Sequence, residues 1–367
     1  MNHVRSLVAD DIPALAELHA SVFPTSSDLS TDERQRYLRQ VFLESPWHGR
    51  SVSSLVSEDG RDGIVGFLGV VPRPMSLGGR SITLAVSSQF MVAPNHRGLG
   101  IKLLNTFLSG PQHLSMTDGP SQAMVKVWKT LGGTDSPLHS IHWTRPLRPT
   151  QYVCSLMAQR AKMAHLATVA RPLCTALDSL VAGTGRSPFR VSAAPVGEEL
   201  TVDTFVDCFT ELAPRGGLRP VYECESVKWL LEMAARKTYL GDLHRVRVRN
   251  SANEVVGWYL CYLKHGRSCE VLPMAGRRDA TELVLDYLFY HAWRNGAVAV
   301  SGRLQADFFD ALKAKRCVLH GGGPPVLVHS REREIVDAVR AGDAFLTRLD
   351  GEWWMPFLRP ARAPVSS

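Results

Sequence analysis

The sequence predicts an α/β fold of mixed sheets, built from two tandem domains that are joined by a helical linker. Three observations lead to this prediction. The chain has 367 residues, of which 45% are hydrophobic and 21% charged, so it is long enough to bury two cores. Segments with helical and with strand periodicity alternate along it. Finally, EVVGWYLCYL in the second half echoes GIVGFLGVVP in the first, which indicates a duplicated α/β unit.

The first half predicts a strand, two helices, a β meander, and then alternating helices and strands. HVRSLV predicts the first strand, and apolar residues recur at helical spacing from Ile12 to Val22. STDERQRYLRQVFLE predicts the second helix, which begins at Ser30 or Thr31. Residues 51–92 predict the meander, because EDGRDG and SLGG supply turns of hairpin length. LSMTDG, SQAMVKVWKTLGG and SIHWTRPL then predict a strand, a helix and a last strand.

The second half repeats this order more loosely. HRVRVRNSANEVVGWYLCYLKHGRSCEVLPMAG predicts strands joined by turns, and DATELVLDYLFYHAWRNG predicts a helix that ends at a glycine. AVAVSGR, QADFFDALKAKRC and PPVLVHS predict strand, helix and strand, and GDAFLTRLDGEWWMPF predicts a terminal strand or hairpin that closes the sheet. The predicted boundaries are a first domain at 1–145, a basic helical linker at 146–197, a second domain at 198–360 and a disordered tail at 361–367.

Charge and cysteine content narrow the classes of function. The net charge of +7 is concentrated in residues 145–190, where Tyr152 and Phe189 are the only aromatic residues and do not alternate with the basic residues as base stacking requires, so nucleic acid is not favoured as a partner. A connecting helix explains that basic stretch better than weak contact with an anionic membrane surface, which stays an alternative. Seven dispersed cysteines predict reduced thiols, and no His or Cys spacing predicts a metal site. The absence of a long apolar run predicts a cytoplasmic location.

The segment VAPNHRGLGIKLL, residues 92–104, has the pattern of a phosphate-binding junction between a strand and a helix. Val92 ends a strand and Pro94 interrupts it, and the helix begins near Gly98. The first N–H groups of a helix have no partners within it, and the helix dipole adds positive potential there. Glycines let a diphosphate approach the backbone, and Arg97 adds a charged donor. The predicted cofactor-binding residues are Phe90, Met91, Val92, Arg97, Gly98, Leu99, Gly100, Ile101 and Lys102.

This segment resembles the acyl-CoA-binding motif of the GCN5-related N-acetyltransferase (GNAT) superfamily. Arg97 and Gly100 match the motif, whereas Lys102 stands where glycine or alanine is usual. The resemblance extends over residues 3–145 and includes the helix SQAMVKVWKTLGG, with Trp128 in place of the usual tyrosine. It implies that acyl-CoA, most simply acetyl-CoA, is the co-substrate. It also implies that the backbone of Phe90 to Val92 binds pantetheine and that an amine attacks the thioester directly.

The departures from the motif leave the acid and the base open. Trp128 cannot act as a practical acid, and Ser88 and Gln89 stand where a glutamate base is frequent. These three residues are predicted to line the substrate cleft. Deprotonation then runs through water and backbone, or uses His96, His113 or Asp118, of which His96 and Asp118 are the predicted catalytic residues. The third alternative is a domain that binds CoA without fast chemistry.

The second half keeps Pro273, Gly276 and Arg277 but lacks the Gly-x-Gly pair, and Asp279 stands near the expected phosphate position. A carboxylate there opposes diphosphate binding, so the second domain is predicted to be a degenerate copy. The tandem arrangement resembles mycothiol synthase-like enzymes and Fem-type peptidyl transferases. The leading hypothesis is an acyl-CoA-dependent N-acyltransferase with a small-molecule or peptide amine as acceptor. A non-catalytic CoA-binding or interaction module and a Fem-like aminoacyl transferase are the alternatives.

Overall fold

The computed structural model describes residues 3–23, 29–49, 52–61, 63–96, 98–158, 173–174, 176–178, 197–213 and 216–356. These residues form two compact units, and each unit contains one mixed β-sheet. The first unit takes its described residues from 3–137, 216–233 and 324–356, and the second from 138–213 and 234–323. The chain therefore passes between the units several times.

The strands, in chain order, are β1 (His3–Ser6), β2 (Leu55–Asp59), β3 (Gly63–Leu77), β4 (Arg80–Val92), β5 (Leu114–Thr117), β6 (Thr134–Asp135), β7 (His142–Pro146), β8 (Gly197–Glu199), β9 (Leu218–Pro220), β10 (Asp242–Arg249), β11 (Val255–Leu263), β12 (Ser268–Gly276), β13 (Ala299–Arg303), β14 (Val318–His320) and β15 (Leu327–His329). The helices are α1 (Ile12–Val22), α2 (Thr31–Phe42), α3 (Leu99–Leu108), α4 (Gln122–Thr130), α5 (Pro137–Ser140), α6 (Pro149–Ala158), α7 (Val202–Leu212), α8 (Cys224–Ala235), α9 (Thr281–Arg294), α10 (Phe309–Ala314) and α11 (Arg333–Ala341).

Local sequence signals explain where several of these elements begin and turn. The Ser30 hydroxyl accepts the backbone N–H of Glu33 at 3.2 Å, and the Glu33 carboxylate accepts the backbone N–H of Ser30 at 2.9 Å, so a capping box starts α2. Gly78 and Gly79 both have positive φ, which is the geometry that a two-residue hairpin turn between β3 and β4 requires. Ser121 caps α4 in the predicted place.

The first sheet has the order β1-β2-β3-β4-β5-β15-β6, with β9 paired to the far end of β3. Neighbouring strands are antiparallel except β4 and β5, which are parallel. The second sheet has the order β14-β7-β13-β12-β11-β10-β8, and β12 and β13 are its parallel pair. In each sheet the second strand of a hairpin, β4 or β12, is also the first strand of the parallel pair. A helix, α3 or α9, connects the two strands of that pair. This correspondence agrees with the duplication that the sequence predicts.

The two sheets exchange a strand. In the first sheet β15, which comes from the second half of the chain, lies between β5 and β6 and pairs antiparallel with both. In the second sheet β7, which comes from the first half, lies between β13 and β14 and again pairs antiparallel with both. The sequence predicts each of these two strands in the sheet of its own half. The compact units therefore differ from the continuous boundaries at 145 and 197.

The segment before the described C-terminal end also differs from its prediction. Instead of a terminal strand or hairpin, Ala344 forms one isolated bridge with Leu218, and residues 348–354 form turns. Asp350 causes this winding, because its Oδ2 accepts both the backbone N–H of Thr347 at 2.9 Å and the Thr347 hydroxyl at 2.6 Å. The predicted tail at 361–367 and most of the basic linker lie outside the described residues.

Each unit has its own hydrophobic core. In the first unit α3 and α4 cover one face of the sheet, and in the second unit α9 packs on the sheet in the same way. Within the described part of the chain, no helix combines the length and apolar character needed to cross a bilayer. The same residues contain no group of three or more His, Cys, Asp or Glu side chains arranged to hold a metal ion.

Candidate functional site

β4 carries a bulge just beyond the point where its ladder with β5 ends. The last pair of that parallel ladder is Val86 and Met116, and β4 continues to Val92. Its register with β3 shifts by one residue in this stretch, and Gln89 has a positive φ of 52°. A bulge re-aims the strand that carries it. As a result, the β5-facing backbone groups of Phe90 to Val92 lie beyond the ladder, where a ligand can hydrogen-bond to them.

The two glycines at the start of α3 have different roles. Gly98 is the N-cap residue, and a Cβ added to it would meet no described atom within 4 Å. A Cβ on Gly100 would lie 3.1 Å from Cζ of Phe90 and 3.6 Å from Cγ2 of Val92. Gly100 thus allows the helix to pack closely on β4, whereas the space above Gly98 is open to a phosphate. Arg97 lies outside the described residues.

The remaining residues of the predicted motif lie on or beside the first turn of α3. Ile101 is 54% exposed and Lys102 is also exposed, so Lys102 can meet a charged group near the helix start. His96 is half-buried and ends a short 3-10 turn, Pro94–His96, that precedes the helix. Met91, in contrast, is fully buried, so only its backbone can contribute to a site.

Gln89 is held by two residues that the sequence analysis did not single out. Its Oε1 lies 3.1 Å from Nε2 of His19, and Nε of Arg34 donates to Nδ1 of His19 at 3.1 Å. All three side chains are at most 5% exposed. Since Nδ1 accepts from the arginine, the imidazole proton is on Nε2 and is donated to Gln89. Burial and the nearby Arg34 charge lower the pKa of His19 to about 4, so this ring is neutral at pH 7.

Ser88, within β4, and Asp118, which directly follows β5, both contact one segment of the chain. The Ser88 hydroxyl donates to Sδ of Met355 at 3.2 Å, and the backbone N–H of Glu352 donates to Oδ1 of Asp118 at 3.0 Å. The Met355 N–H donates to the Glu352 carbonyl at 3.0 Å, which closes a turn over residues 352–355. All four side chains are buried. The turn therefore spans the gap between β4 and β5.

Trp128 does not line this gap. It is 1% exposed and packs in the core on the opposite side, with its ring 6.2 Å from that of Phe107 in an edge-to-face contact. A Cβ on Gly133 would already collide with this indole, so Gly133 makes room for it. Trp128 is thus enclosed by apolar neighbours, and its contribution to a substrate cleft stays a prediction. His113 is likewise engaged in structure, because its Nδ1 accepts the backbone N–H of Thr83 at 3.0 Å.

A buried ionic cluster lies under the same turn segment. Nη2 of Arg73 is 3.5 Å from Oδ1 of Asp350, and the phenol of Tyr222 donates to that oxygen at 2.6 Å. The guanidinium also stacks 4.3 Å above the ring of Trp47. Burial and the Asp350 charge raise the pKa of Tyr222, so the phenol remains a donor. This cluster anchors residues 347–350 to β3.

In the second unit the corresponding place is closed. Arg277, the arginine that the second half keeps, pairs with Asp279 at 2.8 Å and with Glu254 at 3.4 Å. The carboxamide of Gln305 bonds both backbone groups of Met274, whose N–H donates at 3.0 Å and whose carbonyl accepts at 2.6 Å. Counted from the parallel ladders, Met274 on β12 corresponds to Phe90 on β4. A side chain thus holds the backbone groups that are open in the first unit.

The sequence contains only weak signals for Arg34, His19 and Glu352, which it does not identify as residues of the site. Arg34 and Tyr37 recur with Leu38 and Val41 at helical spacing, so they lie on the buried face of α2. That periodicity places Arg34 in the interior, although it does not identify His19 as its partner. Glu352 follows Asp350 by two residues and precedes two tryptophans, and no local pattern predicts its contact with Asp118.

Comparison with known proteins is consistent with this geometry. Residues 3–110 match the family model for the acetyltransferase (GNAT) domain. A search of curated proteins found no match. Among solved structures, a conserved protein of unknown function from Enterococcus faecalis, described as a probable N-acyltransferase, has a TM-score of 0.59 at 11% identity, covering 90% of this chain and 73% of that chain. A GCN5-related N-acetyltransferase from Anabaena variabilis has a TM-score of 0.58 at 12% identity, covering 89% of this chain and 72% of that chain.

A third similar structure is the N-myristoyltransferase of Saccharomyces cerevisiae with bound myristoyl-CoA. Its TM-score is 0.51 at 10% identity, and the match covers 91% of this chain and 80% of that chain. Identities this low show a shared fold and nothing finer. The matched domain and the shared fold confirm the predicted α/β class and the resemblance to the GNAT superfamily, and the two sheets fit a tandem arrangement.

Proposed function

We propose that the protein transfers an acyl group, acetyl in the first instance, from acyl-CoA to an amine by direct attack in a ternary complex. The junction of β4 and α3 is the observation that carries this proposal. The bulged strand leaves backbone groups of Phe90 to Val92 beyond the β5 ladder, and the open space at Gly98 adjoins the free N–H groups of the first helical turn. This combination fits a thioester whose diphosphate lies on a helix start.

Each part of the donor has a matching group. The first-turn N–H groups of Gly98 to Ile101 face the diphosphate, and Arg97 and Lys102 supply positive charge. The backbone of Phe90 to Val92 pairs with the amides of pantetheine in the manner of an added strand. The thioester then lies in the gap between β4 and β5. No covalent enzyme intermediate is required, since the protein orients the thioester and the amine against each other.

The donor site is expected once per chain. In the second unit, Gln305 already bonds the backbone N–H and carbonyl of Met274, and Arg277 is paired with two carboxylates. Pantetheine would have to displace the carboxamide, and a diphosphate would have to compete with Asp279 and Glu254. Both costs oppose a second binding event.

Isothermal titration with acetyl-CoA tests the proposal. We expect one site per chain in the wild-type protein. Gly98→Asp places a carboxylate in open space beside the diphosphate, so it is expected to abolish binding while the melting temperature stays unchanged. Glu332→Gln, on the surface of the same unit, is the control and should bind normally. Absence of binding at millimolar acetyl-CoA would reject the proposal.

Turnover separates a transferase from a CoA-binding module. The release of CoA is followed with a thiol reagent in the presence of spermidine, glucosamine or a lysine-containing peptide. Acceptor-dependent release supports the transferase. Stoichiometric binding without release for any of these amines favours the non-catalytic alternative.

A further inference from the structure

A tight turn carries one buried carboxylate across the gap in which the thioester is proposed to lie. Met355 anchors the turn to Ser88 at the β4 side, and the backbone of Glu352 anchors it to Asp118 at the β5 side. Ser88 and Asp118 each follow the last pair of the parallel ladder by two residues. Glu352 is therefore fixed at the level where the two strands part, although it is more than 200 residues away in sequence.

The Glu352 carboxylate has a defined position. Its Oε1 lies where it would overlap a Cβ on Gly119, so a larger residue at position 119 would require the carboxylate to move. Burial, and after it the Glu352 charge, raises the pKa of the fully buried phenol of Tyr37. The Glu352 side chain is 5% exposed, so only a small part of it meets water.

Asp118, the carboxylate that the sequence suggested, is less suited to proton transfer. One of its oxygens accepts the backbone N–H of Glu352, and the backbone of Gly351 packs directly against the carboxylate. Asp118 is 0% exposed. It thus positions the turn, and the side chain of Glu352 is the acidic group that this positioning presents.

We propose that Glu352 is the general base that prepares the acceptor amine for attack. The assignment rests on the proposed acyl-transferase function and adds a residue to it. The carboxylate takes one proton from the acceptor ammonium and passes it to water. The free amine attacks the thioester carbonyl, so a C–N bond forms and the C–S bond breaks. The second proton leaves the nitrogen and ends on the CoA sulfur, giving amide, CoA thiol and one released proton. The buried carboxylate also favours a cationic acceptor over a neutral one.

Glu352→Gln keeps the size of the side chain and removes the base. We expect it to lower kcat about a hundredfold or more with a primary amine such as spermidine, which is the range for loss of general-base catalysis. The dissociation constant for acetyl-CoA is expected to change by less than about twofold, because the donor lies on β4 and α3. The kcat/KM profile should shift to higher pH, since the variant depends on amine that is already deprotonated in solution. Hydroxylamine, which is unprotonated at pH 7.5, should show a much smaller defect.

Two further variants distinguish Glu352 from Asp118 and from a folding defect. Asp118→Asn retains an oxygen that can accept the Glu352 N–H, so the loss in kcat is expected to be at least tenfold smaller than in Glu352→Gln. Gly119→Ala places a methyl group where the carboxylate lies, so kcat should fall about tenfold with unchanged acetyl-CoA affinity. The surface variant Glu332→Gln should match wild type.

The outcomes separate this inference from the proposed function. If wild type neither binds acetyl-CoA nor turns over, the transferase is rejected and the role of Glu352 falls with it. If wild type turns over and Glu352→Gln retains its rate and pH profile, the inference alone is overturned. A hundredfold loss in Asp118→Asn with little loss in Glu352→Gln would likewise assign the base to Asp118. If Glu352→Gln does not bind acetyl-CoA, Gly119→Ala decides, and full activity in that variant overturns the assignment.

Discussion

Nε of Arg34 lies 3.1 Å from Nδ1 of His19, so a buried arginine donates to a buried neutral imidazole beside the bulge of β4. The same ring donates to Gln89, the residue with positive φ. Helix α1, which carries His19, and helix α2, which carries Arg34, are thereby linked through hydrogen bonds to β4, the strand that carries the proposed pantetheine contacts. Protonation of His19 would place a second positive charge next to Arg34, and would remove the acceptor that Arg34 uses.

Stability is therefore expected to fall in acid as His19 is protonated. Its pKa is about 4 in the folded protein against 6.5 ordinarily, so the unfolded chain binds the proton more readily between these values. Above pH 6.5 His19 is neutral in both states and the free energy of unfolding keeps its full value. As pH falls towards 4, the free energy of unfolding decreases by about 3 kcal/mol at most. Urea unfolding at pH 7.0 and pH 4.5 measures it, and His19→Gln should reduce the difference. An identical pH dependence in both proteins would contradict this explanation.

The two glycines of the α3 motif should separate stability from binding. Gly98→Ala adds a methyl group in open space, so the free energy of unfolding is expected to change by no more than about 0.5 kcal/mol. The same methyl group obstructs the diphosphate, and acetyl-CoA affinity should fall about tenfold. Gly100→Ala instead meets Phe90 at 3.1 Å and should destabilise the protein by about 1 kcal/mol. Thermal unfolding and calorimetric titration give both numbers, and equal effects at the two positions would refute the division of roles.

Much of the fold could be predicted because it is encoded in local periodicity. The order of helices and strands up to α4 follows from alternating apolar patterns, the Ser30 and Ser121 caps and the glycine turn at 78–79. The strand exchange could not be predicted, because β7 and β15 have ordinary strand sequences that fit either sheet. Only long-range pairing, such as Trp143 with Gly302, determines their sheet.

The site was predicted in part for the same reason. The residues of VAPNHRGLGIKLL are contiguous, so the strand-to-helix junction is visible in the sequence. Glu352 and Asp118 meet across 234 positions, and His19 and Gln89 across 70, so local spacing carries no trace of either contact. Trp128 stands at a motif position that predicts a place in the cleft, whereas its side chain packs among hydrophobic neighbours that are distant in sequence, such as Leu68 and Leu327.

Lys102 is expected to recognise the adenosine end of CoA. It is exposed on the first turn of α3, where a phosphate held by the helix start would be near. If its partner is the 3′-phosphate, Lys102→Ala should weaken CoA binding about fivefold and leave dephospho-CoA almost unchanged. Raising the salt concentration should narrow the difference, since exposed charges are screened. Calorimetric titration with both ligands measures this, and equal losses would reject the pairing with the 3′-phosphate.

The ionic cluster around Asp350 should be critical for stability although it is remote from the α3 motif. Asp350→Asn leaves the Arg73 guanidinium buried without its carboxylate, which is expected to cost about 3 to 5 kcal/mol. The exposed pair between Arg80 and Glu332 is the matched contrast, and Glu332→Gln should cost less than about 1 kcal/mol. Replacing the buried charge as well, in Arg73→Met with Asp350→Asn, should recover part of the loss, because no uncompensated ion remains. Urea unfolding of the four proteins decides, and a double variant no more stable than Asp350→Asn would show that the charge is not the cause.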